Sequence, residues 1–198
     1  MVRRWILQSP DILACLVILL VWVGGMAMSI ADALNNPEPD LRHKDILGTA
    51  RMAVAFMVIG WCMMILSNTP ALIVRVIWTL GLFTLIIHII VAFWLAHGWS
   101  HAAAVEHVRE VGGFGGGIVV SYLFVAVWLI DAAWWWINPS GHANRSRWTG
   151  WSIHGFLAFV VFNATVVFGV PEWRVPYTLV FGLPIVACFI WRATYQRF

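Results

Sequence analysis

Six apolar runs of about twenty residues, at about 11–31, 46–67, 71–97, 114–137, 150–170 and 176–194, leave this chain very few folds. In hydrocarbon no water satisfies the backbone, so a run of that length must close its own hydrogen bonds as a helix. The reading is therefore an all-α, polytopic integral membrane bundle of six transmembrane helices, with residues 1–198 forming one transmembrane domain. Composition agrees: 62% of the residues are hydrophobic and only 11% are charged, against about 25% charged in soluble domains. Such a chain has no basic stripe, so nucleic-acid binding is excluded from the reading. Cys15, Cys62 and Cys188 each fall inside an apolar run with no CxxC spacing, which argues for packing and against a disulfide framework or a thiolate zinc site.

The links carry turn formers. Asn35-Asn36-Pro37-Glu38-Pro39-Asp40 separates the first two runs, Asn68-Thr69-Pro70 the next pair, and Asn138-Pro139-Ser140-Gly141 ends the fourth. The first run exceeds the 7–15 residues of a signal h-region, so it reads as a retained helix. Arginine and lysine set the orientation. Placing the N- and C-termini in the cytoplasm puts Arg3, Arg4, Arg75, Arg145, Arg147, Arg192 and Arg197 inside and Arg42, Lys44, Arg51, Arg109 and Arg174 outside. The expected location is a bacterial cytoplasmic (inner) membrane. Most of the 14 tryptophans then fall near the two interfaces, where amphipathic indoles anchor.

Histidine is where chemistry enters. Five of the seven, His43, His88, His97, His101 and His107, lie on the outer side of this frame, and neutral imidazole is the commonest metal ligand. His97 and His101 share a face if their helix is continuous. If Gly98 breaks it, Ser100 caps a short interfacial helix ending near Glu110, with Glu106 and Arg109 paired along it. His88, flanked by Ile86, Ile87, Ile89 and Ile90, is buried in lipid or protein and needs a hydrogen-bond partner or a ligand. His154, near the start of the fifth run, is the second intramembrane candidate. Counted from the cytoplasmic ends, it lies some 10–18 Å below His88 at about 1.5 Å per residue. His142 reads as a solvated loop residue, and Asp131 as an intramembrane acid paired with a neighbour. Gly115, Gly116 and Gly117 open the fourth run, and small residues there admit a close backbone or a macrocycle edge, so Gly116 joins the candidate cofactor residues.

The passage Ile65-Leu66-Ser67-Asn68-Thr69-Pro70, then Arg75, then Thr79-Leu80-Gly81-Leu82-Phe83 leading to His88, resembles the approach to the third helix in the ferric-reductase-like transmembrane haem superfamily. Trp151-Ser152-Ile153-His154 is similar to that family's start of the fifth helix. The resemblance implies a six-span haem-b subunit with iron ligands among His88, His154 and His101. The chain departs from the pattern where the family has a second histidine in the fifth helix, since Val166, Val167 and Phe168 stand at that level.

These readings give one leading expectation and two alternatives. The leading one is a haem-b electron-transfer subunit passing electrons between a quinone and a partner protein, with His88, His154, His101 and Gly116 at the cofactor. The first alternative is a copper or other metal site on His97, His101, His107 and His43. The second is a cofactor-free structural subunit of a larger membrane complex.

Overall fold

A computed structural model describes residues 9–37, 39–66, 71–168 and 171–195. Side chains are described for these except Ser9, residues 39–45 and 171–173, and Tyr195; His43 therefore has a helical backbone, while its side chain lies outside the described residues. The Asn68-Thr69-Pro70 link also lies outside them.

The described residues are all helix and connection. Six helices are long and apolar enough to cross a membrane, spanning Pro10–Asn35, Ile46–Leu66, Ala71–Leu95, Gly117–Ile137, Arg147–Val167 and Arg174–Thr194. The full elements are α1 (Ser9–Asn35), α2 (Pro39–Leu66), α3 (Ala71–Leu95), α4 (His101–Gly112), α5 (Gly117–Ile137), α6 (Pro139–Ala143), α7 (Arg147–Phe162), α8 (Pro171–Tyr177) and α9 (Leu183–Tyr195). Cross-links show that successive spans run in opposite directions. Early α2 meets late α3 through Thr49 and His88, and early α3 meets late α5 through Trp78 and Asp131. Trp22 on α1 donates to Thr84 on α3 at 2.7 Å, each thirteen residues into its helix, so these two run in parallel. The bundle thus has an α4 side and an Asp131 side.

Helix α3 is central, packing on α1, α2 and α5. Its neighbours close around Met57, Trp78, Leu82, Phe124, Trp128, Ala132 and Leu157. Trp78 and Trp128 are 0% and 1% exposed, so these two belong to the core and not to the interfaces where most of the tryptophans were expected. Gly60 and Gly81 make the room: a Cβ on Gly81 would stand 2.9 Å from the Trp128 ring, and one on Gly60 would stand 3.0 Å from that of Trp78. By contrast Leu13, Leu20, Val21 and Met28 of α1 and Leu183 and Ile190 of α9 are exposed, as lipid-facing residues must be.

The third run stops two residues short of His97. Gly98 and Trp99 both take positive φ, +53° and +62°, and turn the chain. Ser100 then caps α4, its Oγ accepting from the Ala103 amide at 3.2 Å, a contact worth about 1 kcal/mol. The helix closes on Gly113 at φ +76°, donating to Arg109 O. His97 and His101 therefore sit on different elements. On the solvent face of α4, Arg109 donates to Glu106 and holds that carboxyl below its ordinary range.

The glycine run leads into α5, with Gly117 as its first residue, and its close neighbour is a helix. A Cβ on Gly115 would stand 2.9 Å from Val105 Cγ1 and 3.2 Å from Val105 O, and one on Gly117 would stand 3.0 Å from Val108 Cγ1. At Gly116 the added carbon would run into the Phe114 ring. Gly115→Leu is therefore expected to lift α4 off α5 and cost about 1–3 kcal/mol through overpacking. A thermal melt in detergent checks it; an unchanged midpoint would show that α4 docks without this contact.

Candidate functional site

Between α2, α3, α4, α5, α7 and α8 on the α4 side lies a cavity of 610 Å³. Its wall is mainly apolar: Met57, Leu85, Phe124, Val125, Trp128, Val161, Phe168 and Phe181 all line it. Two short π-helical stretches shape one wall, Asn163–Val167 after α7 and Thr178–Gly182 after α8. Such widened turns re-aim side chains inside an otherwise regular helix and recur at functional sites. Here they contribute Ala164, Thr165 and Phe181 to the lining. Pro176 and Pro184 flank the second stretch, and each removes an amide from the regular ladder.

The polar residues on this wall include His88, His107, Arg51, Tyr177, Ser121 and Thr165. Of these His88 has the most defined chemistry. Thr49, itself fully buried, donates its one hydroxyl hydrogen to Ile46 O at 2.7 Å. Its oxygen is 2.9 Å from His88 Nδ1, so it accepts the Nδ1–H. That assignment leaves the lone pair on Nε2. A histidine with Nδ1–H tied to an oxygen and Nε2 free for coordination is the arrangement that orients imidazole ligands of metals. Nearby, Arg51 Nε donates to the Tyr177 hydroxyl at 2.7 Å, linking α2 to α8. Trp128 adds a buried indole N–H that has no hydrogen-bond partner among the described residues. An orphaned donor in a cavity-lining residue favours an acceptor-bearing occupant.

The second polar centre lies on the Asp131 side. Asp131 is fully buried; Trp78 Nε1 donates to its Oδ2 at 3.0 Å, and His142 Nε2 is 3.1 Å from Oδ1. Arg145 Nη1 reaches Oδ1 at 3.3 Å and also touches His142. Its Nη2 lies 2.8 Å from His154 Nε2, while Trp61 Nε1 is 3.2 Å from His154 Nδ1. His142 is only 6% exposed and stacks on Trp135 with centroids 4.7 Å apart, which corrects its reading as a solvated loop residue. The short helix α6 brings this about. Asn138 accepts from the Gly141 amide, and the chain folds back beneath α5.

The two centres stand at different depths. His154 packs on Trp78 at 5.5 Å, and Trp78 precedes His88 by ten residues on α3, a rise of about 15 Å. His88 and His154 are thus not brought together. His101 is turned to Tyr122, whose hydroxyl is 3.0 Å from its Nδ1. His97 and His107 do approach, with ring centroids 5.3 Å apart. Gly116 does not line the cavity. Among the described residues no group of three or more His, Cys, Asp or Glu is arranged to hold a metal ion.

Of the residues singled out from the sequence, His88 and His107 line the cavity and Asp131 is paired with its neighbours. Sequence reasoning missed Thr49, Arg51, Tyr177 and Trp128 at the cavity, and His142 with Arg145 at the buried acid. Nothing in the spacing of Thr49 or Tyr177 marks them, because their partners are distant in the chain. The six polar residues of the 138–146 link were a usable signal for a folded cap.

No protein-family model matches the chain, and no curated protein and no solved structure matches it either. What stands is a six-span, all-α multi-pass membrane bundle with an apolar cavity on one side and a buried acid–base cluster on the other.

Proposed function

We propose that this protein is a membrane-embedded haem-b electron-transfer subunit, working between a quinone and a partner protein, with its cofactor in the α4-side cavity. The observation that carries this reading is the oriented His88 imidazole on the wall of that cavity. Its volume of 610 Å³ falls within the roughly 300–1,000 Å³ of cofactor and ligand sites. The residues fit such a group on chemical grounds. His88 Nε2 supplies a neutral nitrogen ligand, and His107 offers a second imidazole on the same wall. Arg51 and Tyr177 supply donors for carboxylate substituents. Aromatic and branched side chains exclude water from the rest.

When bound, haem supplies one-electron redox chemistry, and the protein tunes it through ligand identity and burial. This chain's own part is to hold the iron ligand in one tautomer through Thr49, keep the cavity dry and place a cation at Arg51. The decisive experiment is an absorption spectrum of the purified protein, expressed with ample haem, before and after dithionite. A Soret band with a reduced α-band is the expected result; protein with no Soret band refutes the reading. If that protein instead carries near-stoichiometric copper or another metal, the close pair His97 and His107 is the place to look.

The Thr49→Val variant tests the clamp without changing side-chain shape. Loss of a partner that orients a metal-bound histidine typically costs 10–100-fold in affinity. Haem retention on dilution should fall by about that factor, with little change in the melting point of haem-free protein. Equal retention would show that His88 is oriented by packing alone.

Orientation is proposed with both termini in the cytoplasm of a bacterial inner membrane, which places the cavity toward the outside. A reporter fused after Phe198 should read cytoplasmic and one inserted near Glu38 external. The reverse pair of results would invert the frame.

A further inference from the structure

On the Asp131 side, beside the Trp135 ring that stacks on His142, Arg75 occupies an unusual position. It is the fifth residue of α3, about 6 Å along the axis from the start of the helix. Trp135 and Trp136 are the third- and second-last residues of the antiparallel α5. All three therefore lie within two turns of the helix ends, at the depth where hydrocarbon gives way to headgroups. The guanidinium sits 4.8 Å from the Trp136 ring centroid and 5.8 Å from that of Trp135. Trp136 is fixed in place by donating to Thr79 Oγ1 at 2.9 Å, and Thr79 in turn donates to Arg75 O. It remains 44% exposed, so the assembly opens on the outer surface of the bundle.

Hydrogen bonding around this cation is incomplete. The Arg75 side chain makes no hydrogen bond and no ion pair with any described residue, and its Nε is buried without a partner. Indole faces offset part of the charge but accept no hydrogen bond in the plane of the guanidinium. Nor can the nearest buried acid serve, because Asp131 is already engaged by Trp78, His142 and Arg145. Four described arginines, Arg75, Arg145, Arg147 and Arg192, populate this side against Asp11 and Asp131, so no surplus of carboxylates is at hand. A planar fork of five donors at headgroup depth, flanked by aromatic faces, matches a phosphodiester with two unesterified oxygens.

We propose that Arg75, braced by Trp135 and Trp136, binds the phosphate of an anionic phospholipid and so ties the adjoining ends of α3 and α5 to the bilayer surface. Anionic headgroups are favoured because they lack the compensating ammonium of a choline lipid, which leaves the surrounding arginines attractive rather than neutral. A bound headgroup also stabilises the folded bundle by mass action.

The test uses the full chain in detergent, supplemented separately with phosphatidylglycerol, with phosphatidylcholine of the same acyl chains, or with inorganic phosphate. Bound lipid is read by native mass spectrometry and stability by thermal melting. Wild type should retain phosphatidylglycerol in preference to phosphatidylcholine and melt higher with it. Arg75→Gln should retain it about tenfold less, the equivalent of one charge-assisted hydrogen bond. Arg75→Lys, which keeps the charge and folds without the fork, should fall between the two. Arg147→Gln, a loss of charge on the same side, should lower retention far less than Arg75→Gln does, because it removes only long-range attraction. The proposal is overturned by equal retention of the two lipids, by unchanged retention in Arg75→Gln, or by an inorganic-phosphate response as large as that to the lipid. A wild type that responds to none of the three overturns it as well.

Discussion

An Asp131→Asn variant is expected to lose about 3–5 kcal/mol of stability, the usual consequence of removing one partner from a buried ion pair. Asp131 is fully buried and takes hydrogen bonds from Trp78 and His142 while facing the Arg145 guanidinium. With the carboxylate neutralised, Arg145 becomes an uncompensated charge in a poorly solvated place. The surrounding nitrogens make matters worse. Arg145 and Trp61 are both obligate donors, and between them they face both nitrogens of His154, which can accept at only one. Among the described residues Asp131 is the only carboxylate in that ring of donors. The companion variant Asp131→Leu/Arg145→Met removes both charges and should recover most of the loss, since well-packed apolar pairs often equal buried ion pairs. Melting or SDS-unfolding midpoints in detergent decide between these outcomes. Wild-type stability in Asp131→Asn would mean that Arg145 turns out to water at no cost.

A second large effect is expected at the other centre. His88→Ala should abolish the Soret band of the haem-loaded protein while leaving the bundle folded in the membrane. The imidazole is held through Nδ1 by Thr49, which donates in turn to Ile46 O, so this variant removes the nitrogen that the clamp fixes. His107→Ala should retain haem and shift its bands, because the second imidazole lines the same cavity from α4. His154→Ala should keep the spectrum and lower the melting point, since that ring belongs to the Asp131 cluster some 15 Å away along α3. Loss of the spectrum in His154→Ala, with a normal spectrum in His88→Ala, would move the cofactor to the Asp131 side.

Much of this architecture was legible in the chain. The spans follow from the cost of unsatisfied backbone in lipid, and their observed bounds, such as Ala71–Leu95 and Gly117–Ile137, fall within four residues of the apolar runs. The cap of α4 was legible too, because Gly98 and Ser100 act on their immediate neighbours. Local rules suffice wherever the deciding partner lies within one helical turn.

The sites required tertiary information. His88 is matched by Thr49, 39 residues earlier, and Arg51 by Tyr177, 126 residues later. Apolar periodicity carries no record of such pairs in a bundle where both lipid-facing and core-facing surfaces are hydrophobic. For the same reason tryptophan misled: indoles at the interface and indoles in the core have the same sequence surroundings, and only the room left by Gly60 and Gly81 placed Trp78 and Trp128 inside. The polar loop told least of all, because whether His142 meets water or Asp131 depends on how α6 folds back. The sequence by itself determined a helical, six-span membrane protein, since solvation of the peptide backbone depends on composition and run length. Which histidines gather, and around what space, was decided only when α2, α3, α5 and α7 packed, because depth and rotation about each helix axis are set by neighbours.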